Sequence, residues 1–254
     1  MFSLLNDCRK SNFLFLFLDE RYSRWNGRSS PEVNPEELGN YFEGDIIFPN
    51  NGILPRNGII GASSKWPHGI IPYVIDPIFS SADRRILEWA FTQYERLTCI
   101  KFVPRIQETD YVHITGDQSG CFSAVGRIGG RQQVNLQIPA CVQRGTVIHE
   151  LMHAVGFFHE HSRMDRDKYI TIAYHNILPG REVNFERRVS DSFNVPYDYR
   201  SIMHYSENAF SKNGLPTLIA KEPGVTIGQR VHFSKKDLRK IQRMYKCKRS
   251  RSFF

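Results

Sequence analysis

The chain has 254 residues, is 41% hydrophobic and 24% charged, and carries a formal net charge of +8. That length and apolar content support a packed core in one or two domains. The surplus of base is concentrated in residues 235–251, where Asp237 is the only acid. No recognised nucleic-acid module accompanies it, so it is read as a solvated face, and nucleic acid is excluded as a partner.

An apolar run from Phe13 to Leu18 follows Arg9 and Lys10. It is short for a secretory signal, runs at once into Asp19, Glu20 and Arg21, and lacks a small-residue cleavage site. It is also too short to cross a membrane, and no later segment does so, so no integral membrane contact is expected. Residues 1–20 are taken as an atypical signal segment. Residues 21–56 are charged, punctuated by Pro31, Pro35, Pro49 and Pro55, and without periodicity; little regular structure is expected there. On its residues alone, Phe42-Glu43-Gly44-Asp45 is a turn beside apolar anchors. Pro55-Arg56-Asn57-Gly58 is a turn with a basic residue, suited to nicking by a trypsin-like protease.

Residues 66–78 hold a first strand. A helix follows over 81–97, with Ser80 and Asp83 as a capping box and Ile86, Ala90, Tyr94 and Leu97 at helical spacing. Short strands are expected at 100–103, 111–114 and 133–137. The alternation of Val134, Leu136 and Ile138 suits a half-buried strand bordering a cleft, where a peptide could add by backbone pairing.

Residues 146–167 carry the chemistry. His149, Glu150 and His153 form H-E-x-x-H, and on a helix positions i and i+4 share one face. Two imidazoles so placed can hold one metal ion, with Glu150 beside it as a base. Ile148, Leu151, Val155 and Phe158 would face the core. Gly156 lets the chain leave the helix, because glycine accepts positive φ cheaply. His159 can then return as a third nitrogen ligand, and three nitrogens plus a water make a catalytic rather than a structural zinc arrangement. Further on, little sheet signal appears over 168–200. A final helix is expected over 234–246, with Ser234 and Asp237 as a second capping box and Leu238, Ile241 and Tyr245 inward.

The five cysteines are Cys8, Cys99, Cys121, Cys141 and Cys247. The last four permit three pairings, between which spacing alone does not choose.

The stretch from His149 to Asp167 reads H-E-x-x-H-x-x-G-F-x-H-E followed by R-x-D-R-D, and Ser201-Ile202-Met203-His204-Tyr205 reads S-x-M-H-Y. With F-x-G-D at 42–45 and C-x-S-x-V-G-x-x-G-G-x-Q from Cys121, the chain resembles the astacin family of zinc endopeptidases, in the metzincin group, from about Phe42 to Cys247. The resemblance implies an α+β, zincin-like catalytic domain over 57–254. Its twisted, mostly antiparallel sheet and long helices would lie above a largely irregular C-terminal subdomain, with the active-site cleft between them. Residues 21–56 would be an inhibitory pro-segment. One zinc ion would be held by His149, His153 and His159, with Tyr205 as a loose fifth ligand that swings to the oxyanion, and Asp45 as a ligand in the precursor. Glu150 would be the catalytic base, Met203 an apolar floor beneath the histidines, and Glu160 the partner of a new amino terminus at Asn57. His161 and His204 are not ligands in this pattern. The resemblance selects Cys99–Cys247 and Cys121–Cys141 as disulfides, leaving Cys8 over, and implies secretion.

The function so implied is a secreted zymogen of a zinc endopeptidase that cuts protein or peptide substrates after activation by a trypsin-like protease. Two alternatives stand beside it: a zinc-bearing, non-catalytic protein-binding domain, and a metallo-exopeptidase. Ile227-Gly228-Gln229-Arg230 matches the family stretch whose arginine lines the S1′ pocket and favours acidic P1′ residues. On residue type alone, Arg230 is a solvated charge.

Overall fold

Helix α1, Ser81–Leu97, carries the chain from the end of strand β2, Ile70–Ile75, back to the start of β3, Lys101–Pro104, in the computed structural model, which describes residues 33–48 and 64–248. A crossover of that kind makes β2 and β3 parallel, Ile70 pairing with Lys101. Strands β4, Tyr111–Thr115, and β6, Arg131–Leu136, continue the sheet in the same direction, and β5, Cys121–Ala124, runs back against β6. With β1, Ile46–Ile47, parallel on β5, the order is β1-β5-β6-β4-β2-β3. The class is α+β as expected, but the sheet is mostly parallel, with β5–β6 as its antiparallel pair. Strands of two to six residues do not encode direction; the connections do, and here α1 and the out-and-back course of β5 set it.

The cleft-bordering strand also differs from expectation. β6 lies inside the sheet between β5 and β4, and Val134, Asn135 and Leu136 are all buried. β5, not β6, is the strand next to the leading segment, and β1 pairs along it as the outermost strand. Buried Asn135 ties the turn before β5, donating to the carbonyls of Gln118 at 3.0 Å and Gly120 at 2.6 Å.

The capping box of α1 is present: Ser80 Oγ accepts from the Asp83 amide, and Asp83 answers to the Ser80 amide at 3.0 Å. Its inner face is Leu87, Ala90, Phe91 and Tyr94, whereas Leu97 at the last turn is 41% exposed. Each large side chain so buried contributes about 1.5–3 kcal/mol. Tyr94 also donates its hydroxyl to the Ile148 carbonyl at 2.8 Å, bracing the second long helix.

That helix, α2, runs Arg144–Val155 and is buried from Gly145 onward. Its last carbonyls have no partner within the helix. Trp66 Nε1 supplies one to Ala154 at 2.8 Å, and the Tyr245 hydroxyl another to Val155 at 2.7 Å. Gly156, at φ +128°, turns the chain away; a side chain there would also strike Met244. Because the helix stops at Val155, Phe157 rather than Phe158 is the phenylalanine that becomes buried.

The stretch 156–234 is largely irregular, with β7, Ile170–Ile172, pairing antiparallel to the distant β8, Leu218–Ala220. It has its own apolar cluster, including Ile177, Phe185, Tyr197, Tyr205 and Phe210. Helix α3, Lys235–Met244, begins at the Ser234 capping box. Its inner face combines Ile241 with Asp237, Lys240 and Met244, while Leu238 and Tyr245 are half-buried. Both expected disulfides are present, Cys99–Cys247 and Cys121–Cys141. No helix among the described residues is long and apolar enough to cross a membrane. The signal-like run, Cys8 and the basic turn at Arg56 lie outside the described residues.

Candidate active site

His149 and His153 project from one face of α2, and the exit at Gly156 brings His159 to them; the three ring centroids are 4.7–5.3 Å apart. Asp45 Oδ2 stands 3.0 Å from His149 Nε2, 3.5 Å from His153 Nε2 and 3.2 Å from His159 Nε2. All four side chains are fully buried.

The opposite ring nitrogens are each held by an acceptor. His149 Nδ1 meets the Ile202 carbonyl at 2.8 Å, His153 Nδ1 the Phe157 carbonyl at 2.7 Å, and His159 Nδ1 the Glu43 carboxylate at 2.7 Å. A neutral imidazole that donates from Nδ1 presents a lone pair at Nε2. Three lone pairs converging on a carboxylate oxygen repel it unless a cation lies among them. Tetrahedral zinc bonds of about 2.0–2.1 Å set neighbouring ligand atoms about 3.3 Å apart; the Asp45 oxygen lies 3.0–3.5 Å from the three nitrogens, and the four donor atoms are all within 4.8 Å of one another. His153 Nε2 and Asp45 Oδ1 have no hydrogen-bond partner in the protein. The donor set fits one zinc ion.

When no zinc is bound, a proton on His159 stands in for that cation. Burial opposes a charge on Asp45, but His159 and His153 outweigh it and hold the carboxyl well below its usual range. Burial also depresses His149, to about 4. For His159, burial is overcome by the carboxylates of Asp45 and Glu43, which hold it up to about 9. Glu150 is buried beside the cluster with neither oxygen partnered. Burial first, and then the Asp45 charge, push its pKa well above the usual carboxylate value.

The other expected residues surround this centre. Tyr205 is buried, lies 3.7 Å from the His161 ring, and donates its hydroxyl to the Glu43 carbonyl at 2.6 Å. Met203 is buried in the turn below, which α3 holds: Asp237 accepts from Ser201 Oγ at 2.6 Å and the Ile202 amide at 2.9 Å. His161 bonds the Asn184 carbonyl and His204 lies between Tyr197 and the Tyr205 carbonyl, so neither joins the cluster. Glu160 is already engaged, by Arg163 at 3.0 Å, by the Asp198 amide at 2.9 Å and by Lys240.

Arg230 is not a solvated charge; its side chain is 7% exposed and pairs with Glu36. Gly145 makes room for it, because a Cβ there would overlap the Arg230 carbonyl. Glu37, the neighbouring acid, accepts from the Ser206 amide at 2.6 Å and from Asn34 Nδ2 at 2.9 Å. Burial raises its pKa in spite of Arg230. Sequence reasoning missed Glu36, Glu37, Glu43, Ser206 and Arg188. The one local signal was the run of acids flanking the F-x-G-D turn; their partners are far away in the chain.

Three comparisons bear on this site. The family model for the astacin peptidases matches residues 59–246. The chain is 44% identical over 223 residues to zinc metalloproteinase nas-4 of Caenorhabditis elegans, covering 83% of this chain and 70% of that protein. It is 45% identical over 216 residues to the astacin-like metalloendopeptidase of Mus musculus, covering 82% of this chain and 48% of that one. Among solved structures, High choriolytic enzyme 1, a hatching enzyme zinc-protease from Oryzias latipes, is similar with a TM-score of 0.69 at 34% identity, over 80% of this chain and 100% of that one.

Proposed function

The chain belongs to the astacin family of peptidases, and on that premise we propose that it is the latent form of a zinc endopeptidase that cleaves protein or peptide substrates. The observation that carries this reading is the convergence of three buried imidazoles, with Glu150 unpartnered beside them. Residues 21–56 are the inhibitory pro-segment and 57–254 the protease, with 1–20 as an atypical signal. The two disulfides belong to an oxidising, extracellular setting.

His149, His153 and His159 would hold the zinc, which supplies a Lewis acid and a bound water of lowered pKa. Glu150 takes the proton of the attacking water on its carboxylate and delivers it to the leaving amine nitrogen. The Tyr205 hydroxyl, released from the Glu43 carbonyl, donates to the oxyanion as charge develops there. Strand β5 offers the substrate a backbone edge, the one that β1 occupies in the latent chain.

This reading is tested by digesting a folded protein with the activated chain and mapping the fragments by mass. Internal fragments are expected. Loss of terminal residues alone would favour an exopeptidase, and binding without cleavage would favour the zinc-bearing, non-catalytic binding domain.

Activation by a trypsin-like protease follows from the same reading, because Asp45 fills the position a water needs. The full-length chain is expected to be inactive and to gain activity on cleavage near Arg56, while Asp45→Ala leaks activity before cleavage. A full-length chain as active as the trimmed one would remove Asp45 as the latch.

Arg230 would line the S1′ pocket. The support is that a carboxylate, that of Glu36, already sits on it. A guanidinium fork that meets a carboxylate discriminates by about 1.5–3 kcal/mol, so Asp at P1′ should exceed Ala by about ten- to a hundredfold in kcat/KM. Arg230→Ala should lose that preference more than it loses cleavage of neutral peptides. Equal cleavage of both peptides by the wild type would place Arg230 outside the pocket.

A further inference from the structure

Arg188, like Arg230, is a cation that the segment 33–48 pairs with a carboxylate. Its Nε donates to Glu43 Oε1 at 2.7 Å, while the other oxygen of the same carboxylate takes His159 Nδ1 at 2.7 Å. One carboxylate thus bridges two convergent donors, a guanidinium and an imidazole N–H. The pair is enclosed: the Glu43 side chain is fully buried and that of Arg188 is 16% exposed. The Phe42 ring covers the guanidinium, 3.9 Å from its carbon.

The donors are anchored by the protease, not by the segment. The Arg188 amide bonds the Ser162 carbonyl at 2.6 Å, three residues past His159. Asn184 Oδ1, from the same stretch of chain, receives the Glu43 amide at 3.1 Å. The acid is brought to them by a tight turn in which Glu43 and Gly44 both have positive φ, 46° and 86°. Departure of the segment therefore removes the acid and leaves the receptor. Among the described residues, Glu43 is the carboxylate within ion-pair distance of Arg188. This place differs from the Arg230 pocket. Arg230 packs on Gly145 in the first turn of α2, whereas Arg188 adjoins His159, beyond the last.

We propose that Arg188 and His159 Nδ1 form a second carboxylate subsite, which in the cleaved enzyme takes an acidic side chain of the substrate at a position other than P1′. The inference rests on the peptidase reading and deepens it: the preferred substrate carries two acids, one for each arginine. Arg188 is a specificity residue here, since its guanidinium would touch the substrate. The contact is charge-assisted, with Arg188 Nε on one carboxylate oxygen and His159 Nδ1 on the other.

The test measures binding, so that it does not depend on turnover. Glu150→Gln protein, cleaved near Arg56 and zinc-loaded, is titrated with fluorescent peptides in which one Asp is walked through an uncharged sequence. Two positions should bind tighter by about ten- to a hundredfold, the size of a hydrogen bond to a charged group. Adding Arg230→Ala should abolish one of these gains and adding Arg188→Gln the other, with Arg188→Lys restoring part of the second. A peptide of residues 33–48 carrying Glu43→Gln should lose affinity for the Arg188 protein but lose no more for Arg188→Gln, a coupling that a mere folding defect would not produce. If every favoured position survives Arg188→Gln the proposal is overturned, whereas a single favoured position lost with Arg188→Gln would support it and count against the Arg230 pocket. If cleaved wild type hydrolyses none of the peptides, the peptidase reading fails, while the binding series still decides the subsite.

Discussion

Glu150→Gln, in the chain cleaved near Arg56, is expected to keep one zinc ion and its fold, and to lose at least about 10²–10⁴-fold in kcat, the usual contribution of a positioned acid–base group. Glutamine has almost the shape of glutamate, so the packing around position 150 is preserved. Zinc should stay because Glu150 is not among the four side chains whose donor atoms converge. What is lost is the one carboxylate beside the cluster that is free to take a proton: neither of its oxygens has a partner, in a site with no exposure to solvent. In the latent chain, burial and then the neighbouring Asp45 charge favour its neutral form. Withdrawal of Asp45 removes that repulsion and returns the group toward the carboxylate a base requires. The measurement is peptide turnover beside zinc content by metal analysis. Full hydrolysis by a zinc-loaded variant would remove Glu150 from the mechanism. Loss of zinc together with loss of turnover would mean that Glu150 supports the ion instead.

Tyr205→Phe has two expected effects, one in each state of the chain. In the cleaved enzyme kcat should fall by about 10²–10³, the cost of removing one donor aimed at a developing oxyanion. The fold should survive, because the ring is held by aromatic neighbours, His161 at 3.7 Å and His159 at 4.7 Å, that do not depend on the hydroxyl. In the latent chain the same hydroxyl satisfies the Glu43 carbonyl at 2.6 Å. Its removal leaves a buried acceptor unpaired, which costs about 1–3 kcal/mol. The variant's precursor should therefore hold residues 42–45 less firmly and exchange the Glu43 and Gly44 region faster, measured by hydrogen exchange. An unchanged kcat would remove Tyr205 from catalysis. Unchanged exchange would show that the hydroxyl contributes nothing to the latch.

Local physics made much of this molecule legible from residue order. His149 and His153 share a face because of helical repeat alone, and Gly156 ends α2 where a glycine was needed for positive φ. Ser80 with Asp83 and Ser234 with Asp237 mark helix starts through contacts three residues long. The disulfide pairing was not legible in that sense; spacing left three choices, and only likeness to a family selected the two observed. Errors came where an element's end or neighbour mattered. Leu97 kept the helical spacing yet fell beyond the core, and Phe158 lost its place to Phe157 when the helix stopped.

By itself, the sequence determined the metal-binding face, the candidate base and the capped helices, since each depends on groups within a few residues of one another. Tertiary structure alone decided that the sheet is mostly parallel, that β1 pairs along β5 and leaves β6 inside the sheet, and that two arginines are clothed by acids of one segment. Glu43 meets Arg188 across 145 positions, and Glu36 meets Arg230 across 194. Charge attraction has no preferred sequence separation. Of the many acid–base pairs the chain could form, its backbone path selects these two by burying each acid against its arginine.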